Sequence, residues 1–218
     1  MKEKTVNNTP LYVRFAAPLT RSFPDFDFFF IKSLREKAVN LLNLKFGDRV
    51  LDVGCGNGAS FPNLVRVVGE SGEVVGVEIS PDFAINARKR IKKNEWKNVE
   101  VIEDAAQTAK LTGDFDGVLM MAAPDVYASE EALENIFPHL KPNARVVIFG
   151  AKTSVSRVGK IFSPVLKMVF AKFSLPTTPS LDSDPWKLLA KHVDKLEIEE
   201  YFFGLMFLAS GSVVNKKV

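Results

Sequence analysis

The 218-residue chain contains one cysteine, Cys55, and two histidines. A single thiol excludes an internal disulfide framework, and cytoplasmic residence is the simplest expectation for such a chain. No charge of one sign dominates. The formal net charge is +3 with 29 basic and 26 acidic residues, which gives no reason to expect an extended nucleic-acid footprint. The amino terminus "MKEKTVNNTP" has no apolar stretch behind its charges, so neither a signal peptide nor a membrane anchor is expected there. The longest uncharged apolar stretch, Tyr201 to Val214, is interrupted by Gly204 and is shorter than the roughly 18 residues a spanning helix needs. A buried hairpin at the end of a sheet fits it better. No internal repeat or low-complexity tract is present, and 46% hydrophobic with 25% charged residues describes one globular domain with a full core.

From Phe46 onward, short β-branched runs alternate with stretches of helical period, the pattern of a parallel sheet with crossover helices. "RVLDVG", "EVVGVE", "VEVIED", "FDGVLMMA" and "ARVVIFGA" read as five strands. "NGASFPNLVRVV", "DFAINARKRIKK" and "SEEALENIFPHL" read as helices between them. Ser80 with Pro81 marks one helix start, basic residues gather at that helix's carboxyl end, and Pro142 with Asn143 signals a turn. "KLEIEEYFFG" and "LMFLASGSV" read as two strands joined near Gly204, an antiparallel pair closing the sheet. The expected fold is therefore α/β: a seven-stranded, mostly parallel sheet with helices on both faces and an antiparallel last strand pair. Within it, residues 1–45 form a tail and a capping helix, on which Phe30, Leu34, Ala38 and Leu41 share a face. Residues 46–151 form the core, 152–184 an insertion, and 185–218 a last helix with the terminal strands.

The stretch "RVLDVGCGNGAS" places glycines at 54, 56 and 58 directly after a strand. The letters satisfy the dinucleotide fingerprint G-x-G-x-x-G/A, and Glu78 lies near the spacing of a ribose-binding acid. A nicotinamide-dependent oxidoreductase is thus admissible, whereas a Walker phosphate loop is not, because no lysine followed by Ser or Thr is present. Asp52 separates the alternatives. At the end of the strand its carboxylate would repel a pyrophosphate and attract a ligand carrying an ammonium or sulfonium.

"VLDVGCGNG" resembles motif I of the class I S-adenosylmethionine-dependent methyltransferases. The resemblance continues through "VVGVEIS", "VEVIEDAAQ", "FDGVLMMA" and "LKPNARVVIFG", and is nearest the methyltransferases of quinone and lipid biosynthesis. It implies a Rossmann-like fold, S-adenosylmethionine as cofactor and S-adenosylhomocysteine as product. It also implies roles: Gly54 and Gly56 for close backbone approach, Asp52 for the ammonium, Glu78 for the ribose hydroxyls, and Ile79 for the adenine face. Asp104 and Ala105 would meet the adenine edge, Met121 and Ala122 the region of the methyl group, and Tyr12, in "LYVRFAAP", would cover the cofactor.

In-line methyl transfer from a sulfonium needs alignment and exclusion of water more than a catalytic side chain. Where the acceptor is a hydroxyl a base would help, and Asp125, Tyr127, His139 and His192 are the candidates, the histidines sitting in helical patterns that suit a structural role. Relative to the family, "AAPDVY" departs from the Pro-Pro-aromatic motif of nucleic-acid amino methylation. Gly150, Ala151 and Lys152 supply no acidic pair for Mg²⁺, and neither a second cysteine nor a Glu-rich loop is present. No metal and no nucleic-acid partner are expected. The insertion "KTSVSRVGKIFSPVLKMVFAKFSLPTTPSL" carries Lys152, Arg157, Lys160, Lys167 and Lys172 with no acid, and Val155, Val158, Phe162, Val165, Val169 and Phe173 recur at helical spacing. Two readings stand: a helix capping the substrate pocket, or an interfacial helix over 152–173 touching anionic lipid. The expected function is methyl transfer to a small, apolar or lipid-like acceptor. The alternatives are the nicotinamide enzyme and a non-catalytic module binding the same cofactor.

Overall fold

The computed structural model describes residues 29–152 and 183–214. Its helices are α1 (Phe29–Leu41), α2 (Phe61–Val68), α3 (Pro81–Lys93), α4 (Pro124–Tyr127) and α5 (Glu130–Ile136). Its strands are β1 (Arg49–Val53), β2 (Glu73–Val77), β3 (Val99–Ile102), β4 (Phe115–Met121), β5 (Leu140–Ala151), β6 (Val193–Tyr201) and β7 (Met206–Val213). They form one seven-stranded sheet in the order β3-β2-β1-β4-β5-β7-β6. The β1, β2, β3, β4 and β5 neighbours pair in parallel, and β7 runs antiparallel to both β5 and β6.

The near-continuous apolar runs of the central strands follow from burial on both faces. Alternate residues serve alternate layers. Val50, Val74, Leu119, Val147 and Leu208 pack with Leu34, Ala38, Val39, Phe61 and Leu64 from α1 and α2. Leu51, Val75, Val118, Ile148 and Phe207 pack on the other face with Val126, Tyr127, Leu133 and Ile136 from α4 and α5. Each large aliphatic side chain so buried contributes about 1.5–3 kcal/mol, so the sheet's position is set from both sides.

Several elements differ from the sequence expectation. The helix after the glycine loop begins at Phe61, since Gly58 adopts φ +74° and cannot enter a right-handed helix in that state. Pro142 and Asn143 lie inside β5 and do not form a separate turn. Asn143 takes φ +64° there, and the β4–β5 register slips between Phe115 and Gly117. The last helix of the 185–218 region is a single 3₁₀ turn, Leu189–Lys191. The hairpin joining β6 to β7 is present as expected, with Gly204 at φ +77° in its turn. Among the described residues no helix is long and apolar enough to cross a membrane. The proposed helix over 152–173 lies outside the described residues beyond Lys152.

Candidate functional site at the carboxyl ends of the strands

The turn after β1 is folded by glycine. Gly54, Gly56 and Gly58 have φ of +72°, +57° and +74°, a region that L side chains enter only at a cost. Both the Gly54 and Cys55 amides donate to the Val77 carbonyl, at 2.8 and 3.1 Å, binding the turn to β2. The glycines serve different ends. A Cβ on Gly54 would stand 2.7 Å from the Ala123 Cβ, and one on Gly58 2.5 Å from the Phe61 ring, whereas one on Gly56 would meet nothing within 4 Å. Gly54 therefore has a packing reason of its own, against the start of α4, in addition to any ligand. Among the described residues, Gly56 alone of the three has open space where a Cβ would stand.

Glu78 follows β2 and is 5% exposed. It accepts from the Gly56 amide at 2.9 Å and from the Ser80 amide at 2.8 Å. Burial pushes its carboxyl up to about 7, opposed by those backbone donors. Two accepted hydrogen bonds leave lone pairs for further donors. Asp52 is fully buried, and neither of its carboxylate oxygens has a hydrogen-bond partner among the described residues. Its pKa is pushed up to about 7 by burial, with Arg35 acting in the opposite sense and Glu78 reinforcing the rise. An unpaired buried carboxylate is expensive, so this position suits a cationic ligand group. Arg35, on α1, is the residue that sequence reasoning missed. It follows Leu34 at the border of the helix's apolar face, and only the docking of α1 against β4 and β5 brings its charge to Asp52.

The remaining residues continue the same edge. Ile79, beside Glu78, is 43% exposed, a free apolar surface suited to a flat ring. Asp104 accepts from the Ala105 amide at 2.7 Å and from the Thr108 hydroxyl at 2.8 Å. The Ala105 amide, expected to face adenine, is thus engaged locally in this conformation. Past β4, Met121 packs on the α1–α2 side, and Ala122, at φ +55°, donates its amide to the Phe149 carbonyl at 2.8 Å. Asp125 lies in the first turn of α4, its carboxyl raised by burial. Tyr12 lies outside the described residues.

Three candidate bases stand in positions that suit a structural role. Tyr127 is 1% exposed, packs edge-on against Phe207 with ring centroids 6.0 Å apart, and presses its hydroxyl against Gly150. This packing places it in the core, where burial raises its pKa further above the ordinary tyrosine value. His139 and His192 directly precede β5 and β6, at the amino ends of these strands. His139 Nδ1 is 3.3 Å from the Gly113 carbonyl, and the His192 ring lies 4.7 Å from that of Phe137. Lys152, grouped by sequence with the cations of the insertion, is 3% exposed, bonded to Glu200 and 4.9 Å from the Trp186 ring.

Comparison with known proteins agrees with this geometry. The methyltransferase domain family matches residues 44–163. The protein-L-isoaspartate O-methyltransferase 2 of Archaeoglobus fulgidus is 36% identical over 110 residues, 50% of this chain and 48% of that protein. The demethylmenaquinone methyltransferase of Lactococcus lactis subsp. lactis is 29% identical over 190 residues, 80% of this chain and 71% of that protein. The chain spans 48% and 65% of the length of two such relatives, the Archaeoglobus protein and the demethylmenaquinone methyltransferase of Bacillus velezensis. Among solved structures, N-methyltransferase NodS from Bradyrhizobium japonicum, in complex with S-adenosylhomocysteine, superposes with a TM-score of 0.69 at 13% identity, covering 95% of this chain and 99% of that one. An S-adenosylmethionine-dependent methyltransferase from Aquifex aeolicus gives 0.61 at 22% identity, over 83% and 89%. These two likenesses establish the Rossmann-like fold alone. The family match runs unbroken through the glycine turn, Glu78, Asp104 and the end of β4, and on it the chain belongs to the class I S-adenosylmethionine-dependent methyltransferase family.

Proposed function

We propose that this protein binds S-adenosylmethionine along the carboxyl ends of β2, β1 and β4 and transfers its methyl group to a small, apolar or lipid-like acceptor. Asp52 carries the reading, because a buried carboxylate without a donor among the described residues is the counterpart of an ammonium. Arg35 would complement it by taking the carboxylate of the same amino-acid end. Glu78 would accept from the ribose hydroxyls, Ile79 would cover the adenine face, and Asp104 with Ala105 would meet its edge. Gly56 would keep the backbone low beneath the ligand, Met121 and Ala122 would border the methyl group, and Tyr12, outside the described residues, would cover the site.

When bound, the cofactor supplies a methyl group already activated on a sulfonium. The chain's own task is to orient the two reactants and exclude water. Asp125 is the remaining candidate to accept a proton from a hydroxyl acceptor. An apolar acceptor is supported by the demethylmenaquinone methyltransferases among the relatives that cover the larger shares of the chain. Contact with a membrane through 152–173 belongs to the same reading and rests on Arg157, Lys160, Lys167 and Lys172, since Lys152 is held by Glu200. Sedimentation with anionic liposomes at low salt is expected to retain the protein, and Lys160→Glu with Lys167→Glu to release it. Absence of binding at low salt removes the membrane contact.

The cofactor is tested by thermal unfolding with S-adenosylmethionine, S-adenosylhomocysteine and NAD⁺ separately. A ligand at about 100 times its dissociation constant adds roughly 2.7 kcal/mol, a rise of about 5–10 °C for a chain of this size. A rise with the adenosyl ligands alone is expected. A rise with NAD⁺ alone would mean that Asp52 has been misjudged and would restore the oxidoreductase. Cofactor binding without transfer to any acceptor of a lipid and quinone panel would favour the non-catalytic module.

A further inference from the structure

The strand order sets the functional groups in a row. Glu78 stands at the end of β2, the glycine turn at β1, Met121 and Ala122 at β4, and next in line, at the end of β5, is Lys152. Glu78 at one end and Ala122 at the other would hold the cofactor so that its methyl group faces the side where β5 ends. Lys152 shares a face with Ile148 and Gly150 by the alternation of the strand, which places it beyond the Tyr127 hydroxyl on the α4 side of the sheet.

The ammonium is buried, at 3% exposure, yet the one hydrogen-bond acceptor it has among the described residues is Glu200, itself 46% exposed. The Trp186 ring face lies 4.9 Å from Nζ. Among the described residues, one acceptor for three N–H groups leaves the ammonium with donors to spare. A desolvated cation flanked by an aromatic wall binds an anionic oxygen far better than a solvated lysine does. Its position rules against a protonated amine in the same place.

We propose that Lys152 selects the acceptor, recognising an anionic oxygen head, a carboxylate or phenolate, on an otherwise apolar body, with Glu200 as the internal group that this head displaces. The assignment rests on the proposed cofactor site and adds the charge of the acceptor to it.

The test is calorimetric titration of protein saturated with S-adenosylhomocysteine, using 1-naphthoate, 1-naphthylmethanol and 1-naphthylmethylamine as matched probes. Naphthoate is expected to bind at least about tenfold more tightly than the alcohol, and the amine not at all. Lys152→Met should erase the preference while leaving the affinity for S-adenosylhomocysteine unchanged. Glu200→Gln, at an exposed position, should strengthen naphthoate binding several-fold, a gain that a purely structural ion pair would not give. Equal binding of the three probes, a preference that survives Lys152→Met, or no gain in Glu200→Gln overturns the proposal. Failure of S-adenosylhomocysteine itself to bind overturns the cofactor reading, and this assignment with it.

Discussion

Asp52 and Glu78 are both buried acids, but the fold treats them differently. Glu78 receives two backbone amides, whereas Asp52 receives no hydrogen bond among the described residues. Asp52→Asn removes a desolvated charge and should therefore leave the ligand-free protein as stable or more stable above pH 7. The same change should weaken S-adenosylmethionine binding by about ten- to a hundredfold, the worth of a charge-assisted hydrogen bond of roughly 1.5–3 kcal/mol. Glu78→Gln should weaken both, because the Gly56 and Ser80 amides then lose a charged acceptor. Calorimetric titration beside thermal unfolding reads the two quantities. Opposite signs for Asp52→Asn identify a residue kept for its ligand, and unchanged binding in both variants ends the assignment of the loop. These two acids were legible because each stands a short, regular distance from a glycine or a strand end. Arg35 was not, since its approach to Asp52 depends on how a separate helix docks. The burial of Lys152 was not legible either, because it depends on Glu200 of β6 and on Trp186, both brought beside the end of β5 only by the fold.

The turn between β1 and α2 is the element on which the site depends. Gly54→Ala would combine a left-handed backbone with a contact of 2.7 Å to Ala123, pushing the start of α4 away from the turn. A loss of about 1–3 kcal/mol is expected, with a lower midpoint in urea unfolding and weakened cofactor binding. Gly56→Ala has open space in place of the clash, so its effect on stability should be limited to the left-handed backbone cost of roughly 1 kcal/mol while cofactor binding falls further. If the two variants lose binding equally in proportion to stability, the open space over Gly56 is not where the ligand lies. The order of strands and helices from β1 to β5 was readable because both faces of the central sheet are covered, so most of these strands appear as apolar runs and the helices as amphipathic ones. Boundaries were less so. Pro142 and Asn143 carry a turn signal, yet β5 incorporates them, since exposed residues at an irregular β4–β5 register need no ladder hydrogen bond.

At the scale of the whole molecule, the buried acids couple folding to pH. Burial raises the Asp52 and Glu78 carboxyls from ordinary values of 3.8 and 4.5 to about 7, so the folded state binds these protons more tightly than the unfolded chain. The stability they confer is complete below the unfolded values and is lost as pH rises through about 7. The ligand-free protein should thus lose on the order of a few kcal/mol between pH 4 and 8, because a tenfold difference in proton affinity between the two states is worth about 1.4 kcal/mol. A ligand bearing an ammonium favours the ionised carboxylate and must expel the proton on binding near neutrality. Its stabilisation should therefore grow with pH, and the gap between bound and free unfolding temperatures should widen from pH 5 to 8. Scanning calorimetry across that range, with and without S-adenosylhomocysteine, measures the gap directly. Titrations at pH 6.5 in two buffers of different ionisation enthalpy count the protons released. Asp52→Asn should flatten the ligand-free curve and remove most of the widening. Parallel curves for the parent protein, with no proton released, would show that the buried acids are already ionised and paired within the fold, and the cation-binding role of Asp52 would be lost with them.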